Sequence, residues 1–580
     1  MKVSKGVAKR VLGSKILCVV NVYGLVEGLH ASRDSPDYME DDQDYLDFLA
    51  NSLEHGDGEG PIASLVDAVL LENGRGTRCR HLDDDLKSDN IASLVQDSDD
   101  ELNEGMLQNC VGYMLYQFIN FLKLDRENVD LYQWPQEYLR FENRKSQNSN
   151  SQSGSTLLSP YIMSNMTELL DAANSVEETD RPNPAVEFVT DKSLWGVWEA
   201  CCRYNHSHGD GLFAMVLSKT YDAVIVGPDV RCLRETESIP AEYFTSAHGF
   251  MRDVLSTAVS SRNMCVIPKM CHVNCVEDKK NRDIDFMSKE RQQELFGGNV
   301  EQLKFTNKPF ELGRDTKYRD LVPHIPSAIG EGDGAVQVRD EHGSLIVSIV
   351  VKPTIGECCD GVCFVHPGQN GDIRVESAFK EELDVNKKLK RGHYTVEKYN
   401  SACYYEYRWF LMLSPGMKFC SGGRGRLEQK SFFPLFCLRT HYTSDQNIAY
   451  EVFWTLYDSD FHQDFASNEN GLDGKLLAVR DVLEKVVDTL QRSKLNESFL
   501  TEGCFSVIRV DLFDLQTRYM VNEVHLMPTD GMFMAALERE QIDGIPHSPK
   551  VLVTHLAKAY ALQYLMSKKW LLLNMKHNSR

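Results

Sequence analysis

The sequence is short of positive charge: 63 Lys and Arg stand against 85 Asp and Glu, a net charge of -22 over 580 residues. Nucleic-acid backbones are held by clustered Lys and Arg, so a nucleic-acid partner is not expected. Apolar runs long enough to span a bilayer are missing as well. The opening MKVSKGVAKRVLGSKILCVVNVYGLVEGLHA has a basic lead and a short apolar stretch, but Asn21 and Glu27 interrupt it. No membrane span is expected, and a cleaved leader is the lesser alternative. Internal repeats are absent. The 16 cysteines form no disulfide framework, and Cys265, Cys271 and Cys275 lack the paired spacing of a zinc site. Vicinal pairs such as Cys201-Cys202 and Cys358-Cys359 suit reduced thiols, which places the expected setting in the cytoplasm.

What is present is the composition of a globular protein, 42% hydrophobic and 26% charged, with a mean hydropathy of -0.36 that points to a diluting polar segment. That segment is visible from Asp34 to Glu104 in blocks such as SPDYMEDDQDYLDF and QDSDDELNEG, which repel themselves and bury little. Residues 1–181 therefore read as a flexible acidic region, partly helical around NCVGYMLYQFINFLKL, with a polar linker at 143–156. Residues 182–273 alternate helical and strand patterns, including a strand Ala223 to Val226 and another in RNMCVIPKM, as an α/β unit does. Residues 274–540 form the unit that carries the chemistry, and 541–580 a C-terminal helix packing on it. In GKLLAVRDVLEKVVDTLQ, Leu476, Val479, Leu483, Val486 and Leu490 share one face of a predicted helix.

Three stretches of the third unit hold candidate site residues. In SIVVKPTIGECCDGVCFV an apolar strand, Leu345 to Val351, delivers Lys352 to Pro353 and to a loop flanked by Gly356 and Gly361. A cation there meets an anion, and a glycine loop can cover phosphates with its N–H groups. In CFSVIRVDLFDLQTRYMVNEVHLMP two alternating strands flank a turn. Alternation places Phe505, Val507, Arg509 and Asp511 on one face, and Val521, Glu523 and His525 on one face of the partner strand. Asp511 and Glu523 then meet across the pair, where a divalent ion such as Mg²⁺ relieves their repulsion. In HYTVEKYNSACYYEYRWFLML a strand Tyr394 to Glu397 runs into a short connection and a second strand, Tyr407 to Leu413, with Glu406 and Arg408 at its start. The Glu and free backbone groups suit adenine and ribose, and Arg408 can reach a phosphate or carboxylate. NHSHGDG (205–211) reads as a polar loop, and CSGGRGRLEQK (420–430) lacks Walker spacing.

The order of VVKPTIGECCDGV, VEKY, EYR, a helix and RVDL…VNEVHLMP resembles the ATP-grasp superfamily over roughly Asn274 to Pro528. The resemblance implies an ATP-grasp catalytic domain of two α+β lobes preceded by an α/β domain. It implies that Lys352 holds ATP phosphates, that Glu397, Lys398 and Tyr399 hold adenine and Glu406 the ribose, and that Lys279 or Lys280 also touches phosphate. Asp511 and Glu523 would carry Mg²⁺ or Mn²⁺, and Arg509 would stabilise the transferring phosphoryl group. Where the family usually has Asn two residues after the metal Glu, this chain has His525, and an imidazole favours softer ions than Mg²⁺. The implied activity is ATP-dependent joining of an amino-acid-like carboxylate to an amine through an acyl phosphate. A kinase of a small molecule on the same fold, or a nucleotide-binding scaffold without catalysis, are the alternatives.

Overall fold

The computed structural model describes residues 4–20, 114, 116–124, 158–190, 194, 197–198, 201–203, 209–226, 264–267, 292, 295–296, 310–311, 338–339, 345–346, 349–353, 363–367, 373–377, 393–398, 405–413, 418–420, 426–428, 432–442, 448–454, 471–492, 506–515, 518–525 and 549–578. The acidic tract 34–104, the linker 143–156, Lys279, Lys280, Gly356, Gly361 and Tyr399 lie outside the described residues, as do Cys271 and Cys275.

The chain begins with helix α1 (Lys5–Leu12), whose Val7, Ala8, Val11 and Leu12 are buried. Ser4 caps it, its hydroxyl accepting from the Val7 N–H at 3.4 Å. Strand β1 (Lys15–Val20) follows, and helix α2 (Leu158–Asn174) leads to β2 (Ala185–Thr190). Helix α3 (Gly209–Thr220), β3 (Ala223–Val226) and β4 (Cys265–Ile267) complete a parallel sheet of order β2-β1-β3-β4. The expected start of the α/β unit at 182 therefore needs correction, because β1 at residues 15–20 is an interior strand of its sheet. Ile16, Leu17 and Cys18 of the run KILCVV are fully buried, as suits a strand covered on both faces. At the start of α3 only glycine fits at 209, since a Cβ would come within 2.5 Å of the Cys202 Cα. Gly209 to Gly211 of the NHSHGDG stretch thus open a helix.

Two further sheets carry the second half. Strands β5 (Phe310–Glu311), β8 (Ile349–Pro353), β9 (Cys363–Pro367), β10 (Ile373–Ser377) and β11 (His393–Lys398) form one, of order β10-β9-β8-β11-β5. Just before it β6 (Val338–Arg339) pairs with β7 (Leu345–Ile346). The single strand expected from Leu345 to Val351 is therefore split, and Lys352 and Pro353 lie inside β8. Pairing with β9 ends at Val351, so the missing N–H of Pro353 breaks no bond on that side.

The other sheet is antiparallel, of order β16-β15-β12-β17-β18. Its strands are β12 (Tyr405–Leu413), β15 (Phe432–Tyr442), β16 (Ile448–Trp454), β17 (Ser506–Asp514) and β18 (Tyr519–His525). A small pair, β13 (Lys418–Cys420) with β14 (Arg426–Glu428), falls in the CSGGRGRLEQK region. Helix α4 (Gly471–Arg492) covers one face of the antiparallel sheet. Its Val479, Leu483, Val486, Val487 and Leu490 pack with Tyr407, Trp409, Leu411, Ile508, Val510, Leu512 and Val524, which leaves the opposite face of the same strands for polar groups. Leu483→Ala is expected to lower stability by about 2–5 kcal/mol, measured by urea unfolding.

Helix α5 (Pro549–Asn578) is buried on nearly every side between its Leu556 and Lys569, Lys558, Lys568 and Lys569 included. It packs on β17 and also on β4, α1 and α2. Tyr564 donates to the Ser14 hydroxyl at 2.5 Å, Lys568 pairs with Asp222, and Lys569 approaches Glu168 at 3.4 Å. Among the described residues no helix is long and apolar enough to cross a membrane. Cys18, Cys201, Cys265 and Cys437 are buried and in no disulfide. Burial pushes the Cys201 thiol up to about 12, with Cys202 adding to it. Cys201 is therefore expected to resist iodoacetamide at pH 8 in the native protein and to react once denaturant is added, as mass spectrometry of the labelled peptide would show.

Candidate functional site

The polar face of the antiparallel sheet is built by register. Arg408 lies opposite Asp511 across β12 and β17, and Asp511 lies opposite Glu523 across β17 and β18. One row thus runs Arg408, Asp511, Glu523 over three strands. The next row sets Arg509 opposite His525. Between Asp511 and Leu512 the β17–β18 register shifts: Leu512 pairs with Val521, so Asn522 is an extra residue, a bulge. The bulge moves Val521 to the core face with Leu512, whereas strict alternation places Val521 with Glu523. It also turns the Asn522 side chain toward the site. Asn522 Nδ2 donates to Glu406 Oε1 at 2.6 Å, and Lys352 Nζ, from the other sheet, donates to Asn522 Oδ1 at 3.5 Å.

Lys352 also pairs with Glu397 on the neighbouring strand β11. Glu397 is buried, and its Oε2 has no hydrogen-bond partner among the described residues. Glu406 and Arg408 lie near the start of β12, with Arg408 Nη2 3.5 Å from Glu406 Oε2 and Nε 3.9 Å from Asp511 Oδ2. Arg509 Nε and Nη2 donate to the two Asp511 oxygens at 2.9 and 3.0 Å, and Nη2 lies 3.8 Å from Glu523 Oε1. Burial pushes the Asp511 carboxyl above the usual carboxylate range and Glu406 adds to that, while Arg509 and Arg408 pull it back. For Arg509, burial acts downward, yet Asp511 and Glu523 outweigh it and raise the guanidinium further. The strand of Lys398 is described but its side chain is not.

The structure thus brings together Lys352, Glu397, Glu406, Arg408, Arg509, Asp511, Glu523 and His525. Four carboxylates face three permanent cations there, an excess of negative charge that a further cation offsets. The ligand atoms of Asp511, Glu523 and His525 all lie within 4.8 Å of one another. Two buried or half-buried carboxylates plus an imidazole are a donor set that fits a divalent ion.

Two residues of the site escaped the sequence reading. Asn522 is one. The other is Gln292, whose Nε2 donates to the Val524 carbonyl at 2.9 Å and whose Oε1 accepts from the Val524 N–H at 2.9 Å. Its amide bonds the outer edge of β18, the last strand of the sheet among the described residues, midway between Glu523 and His525. No pattern in the sequence announces such a long-range contact. Gln292→Leu is expected to cost about 1–3 kcal/mol, since it leaves a buried N–H and C=O without partners, and thermal unfolding measures it.

No family model matches the chain, and no curated protein matches it. Solved structures do. The chain is similar to carboxyaminoimidazole ribonucleotide synthase from Aspergillus clavatus complexed with ATP, at 14% identity and a TM-score of 0.27, over 54% of this chain and 56% of that one. It is also similar to D-alanine–D-alanine ligase from Bacillus anthracis complexed with ATP, at 12% identity and a TM-score of 0.28, over 74% of this chain and 97% of that one. The D-alanine–D-alanine ligase from Helicobacter pylori matches at 13% identity and a TM-score of 0.25, over 58% of this chain and 70% of that one. The chain spans little more than half the length of the ribonucleotide synthase. At these TM-scores the likeness adds nothing to the strand order and side-chain set described above.

Proposed function

We propose that this chain is an ATP-grasp ligase that activates a carboxylate, amino-acid-like in kind, as an acyl phosphate and passes it to an amine. The observation that carries this reading is the reach of Lys352 from one sheet to Asn522 on the other, beside Asp511, Glu523 and His525. Nucleotide between two such sheets meets a buried cation on one side and metal-binding carboxylates on the other. Lys352 and Arg509 balance charge on the moving phosphoryl group, and Arg408 orients an anionic oxygen. Glu397, with an acceptor oxygen to spare, and Glu406 suit the adenine and ribose ends. Asp511, Glu523 and His525 would hold a divalent ion, whose positive charge would offset that of the phosphates. Lys279 or Lys280 and the loop bounded by Gly356 and Gly361 remain part of the proposal as further phosphate contacts, with Lys398 and Tyr399 at the adenine.

The experiment is ATP turnover by the purified chain with Mg²⁺ or Mn²⁺, over pools of amino acids, small carboxylates and amines, beside Glu523→Gln. The expected result is phosphate release that needs a carboxylate and an amine together and falls by about 10²–10³ in the variant. Transfer of the phosphoryl group to a stable product with no amine would replace the ligase with a kinase. Nucleotide binding without turnover on any pool would leave a scaffold.

A further inference from the structure

We infer that Asp511, Glu523 and His525 select a first-row transition-metal ion over Mg²⁺. The inference rests on the reading above for the place of the ion, but not on the reaction. His525 Nε2 lies 2.8 Å from Glu523 Oε1 and 3.8 Å from Asp511 Oδ2. Neighbouring donors around an octahedral ion with bonds of about 2.1 Å are about 3 Å apart, and opposite ones about 4.2 Å. The imidazole therefore already stands at the separation of a ligand, with no need for strand movement. It is also held there. His525 is buried in the row of Arg509, and Val524 beside it is fixed by both arms of the Gln292 amide.

Arg509 does not fill the site. Its two hydrogen bonds take one lone pair on each Asp511 oxygen, and a carboxylate has about four acceptor positions. A nitrogen among oxygen donors then decides the preference. Mg²⁺ is a hard ion that keeps its waters and takes oxygen, whereas imidazole binds first-row transition ions well. His525 Nδ1 is buried and has no hydrogen-bond partner among the described residues. The imidazole thus has both nitrogens to use, one of them on the carboxylate side.

The test uses the full chain with Mn²⁺, Co²⁺ and Mg²⁺ alone, without nucleotide or carboxylate. Calorimetric titration is expected to give Mn²⁺ and Co²⁺ affinities about tenfold or more above that of Mg²⁺. Pulsed electron paramagnetic resonance of bound Mn²⁺ is expected to show coupling to an imidazole nitrogen. In His525→Asn the coupling should vanish and the Mn²⁺ to Mg²⁺ ratio should shrink by about tenfold. Equal affinity for Mg²⁺ and Mn²⁺, or Mn²⁺ bound with no nitrogen coupling in the unaltered chain, would overturn the inference, and neither needs the variant to fold. A chain that holds Mn²⁺ through nitrogen yet turns over no ATP would overturn the ligase reading alone. One that turns over ATP while binding Mg²⁺ as tightly as Mn²⁺ would overturn the metal preference alone.

Discussion

Arg509→Met is expected to destabilise the protein by about 3–5 kcal/mol and to abolish ATP turnover. Arg509 is 3% exposed and Asp511 1%, so water cannot replace the guanidinium once it is gone. Methionine keeps an unbranched apolar stem but is shorter and supplies neither of the hydrogen bonds at 2.9 and 3.0 Å. A carboxylate sealed against a β-sheet without its partner is the costly half of a broken buried ion pair. Urea unfolding measures the loss. Adding Asp511→Leu to the same chain separates the two effects. With both charges removed most of the stability returns, whereas turnover stays absent because a metal-side carboxylate has gone. If the single variant unfolds at the same urea concentration as the unaltered chain, Asp511 does not depend on Arg509 for its place in the fold.

Lys352→Met is expected to raise the dissociation constant for ATP by about 10–100-fold. Hydrogen bonds to charged groups contribute about 1.5–3 kcal/mol, and each 1.4 kcal/mol is tenfold. The same change strips Glu397 of its cation in a buried position, so the fold loses stability as well. Glu397→Gln added to Lys352→Met is expected to return much of the stability and none of the nucleotide affinity. Calorimetric titration with ATP separates the outcomes. Unchanged affinity in Lys352→Met would remove the reason for placing phosphate at this lysine.

Much of the site could be read from the chain because it sits on strands, and a strand repeats every two residues. Arg509 and Asp511 are two apart, as are Glu523 and His525, and each couple faces one way. Asn522 was hidden by the same rule: a bulge adds one residue, and the alternation on one side of it says nothing of the other. Gln292 was hidden for a different reason, since its contact is with backbone atoms 232 positions away. The helix expected in GKLLAVRDVLEKVVDTLQ is present as α4 because its apolar face is continuous and has a sheet to cover. The N-terminal strand was missed because a basic residue followed by a short apolar run suits a leader and a buried parallel strand alike. Its partners β2 and β3 lie far along the chain, where no local pattern points to them.

Asn522 has a consequence for how this site can change over generations. Remove that single codon and β18 falls into unbroken register with β17: Val521 still meets Leu512, Glu523 still meets Asp511, and His525 still meets Arg509. The metal-side residues would keep their places while Lys352 and Glu406 lost their common neighbour. Ion binding and the coupling of the two sheets are therefore separable by one deletion. A chain that discarded the coupling could keep the ion, and one that kept the coupling could vary its ligands at 523 and 525 independently.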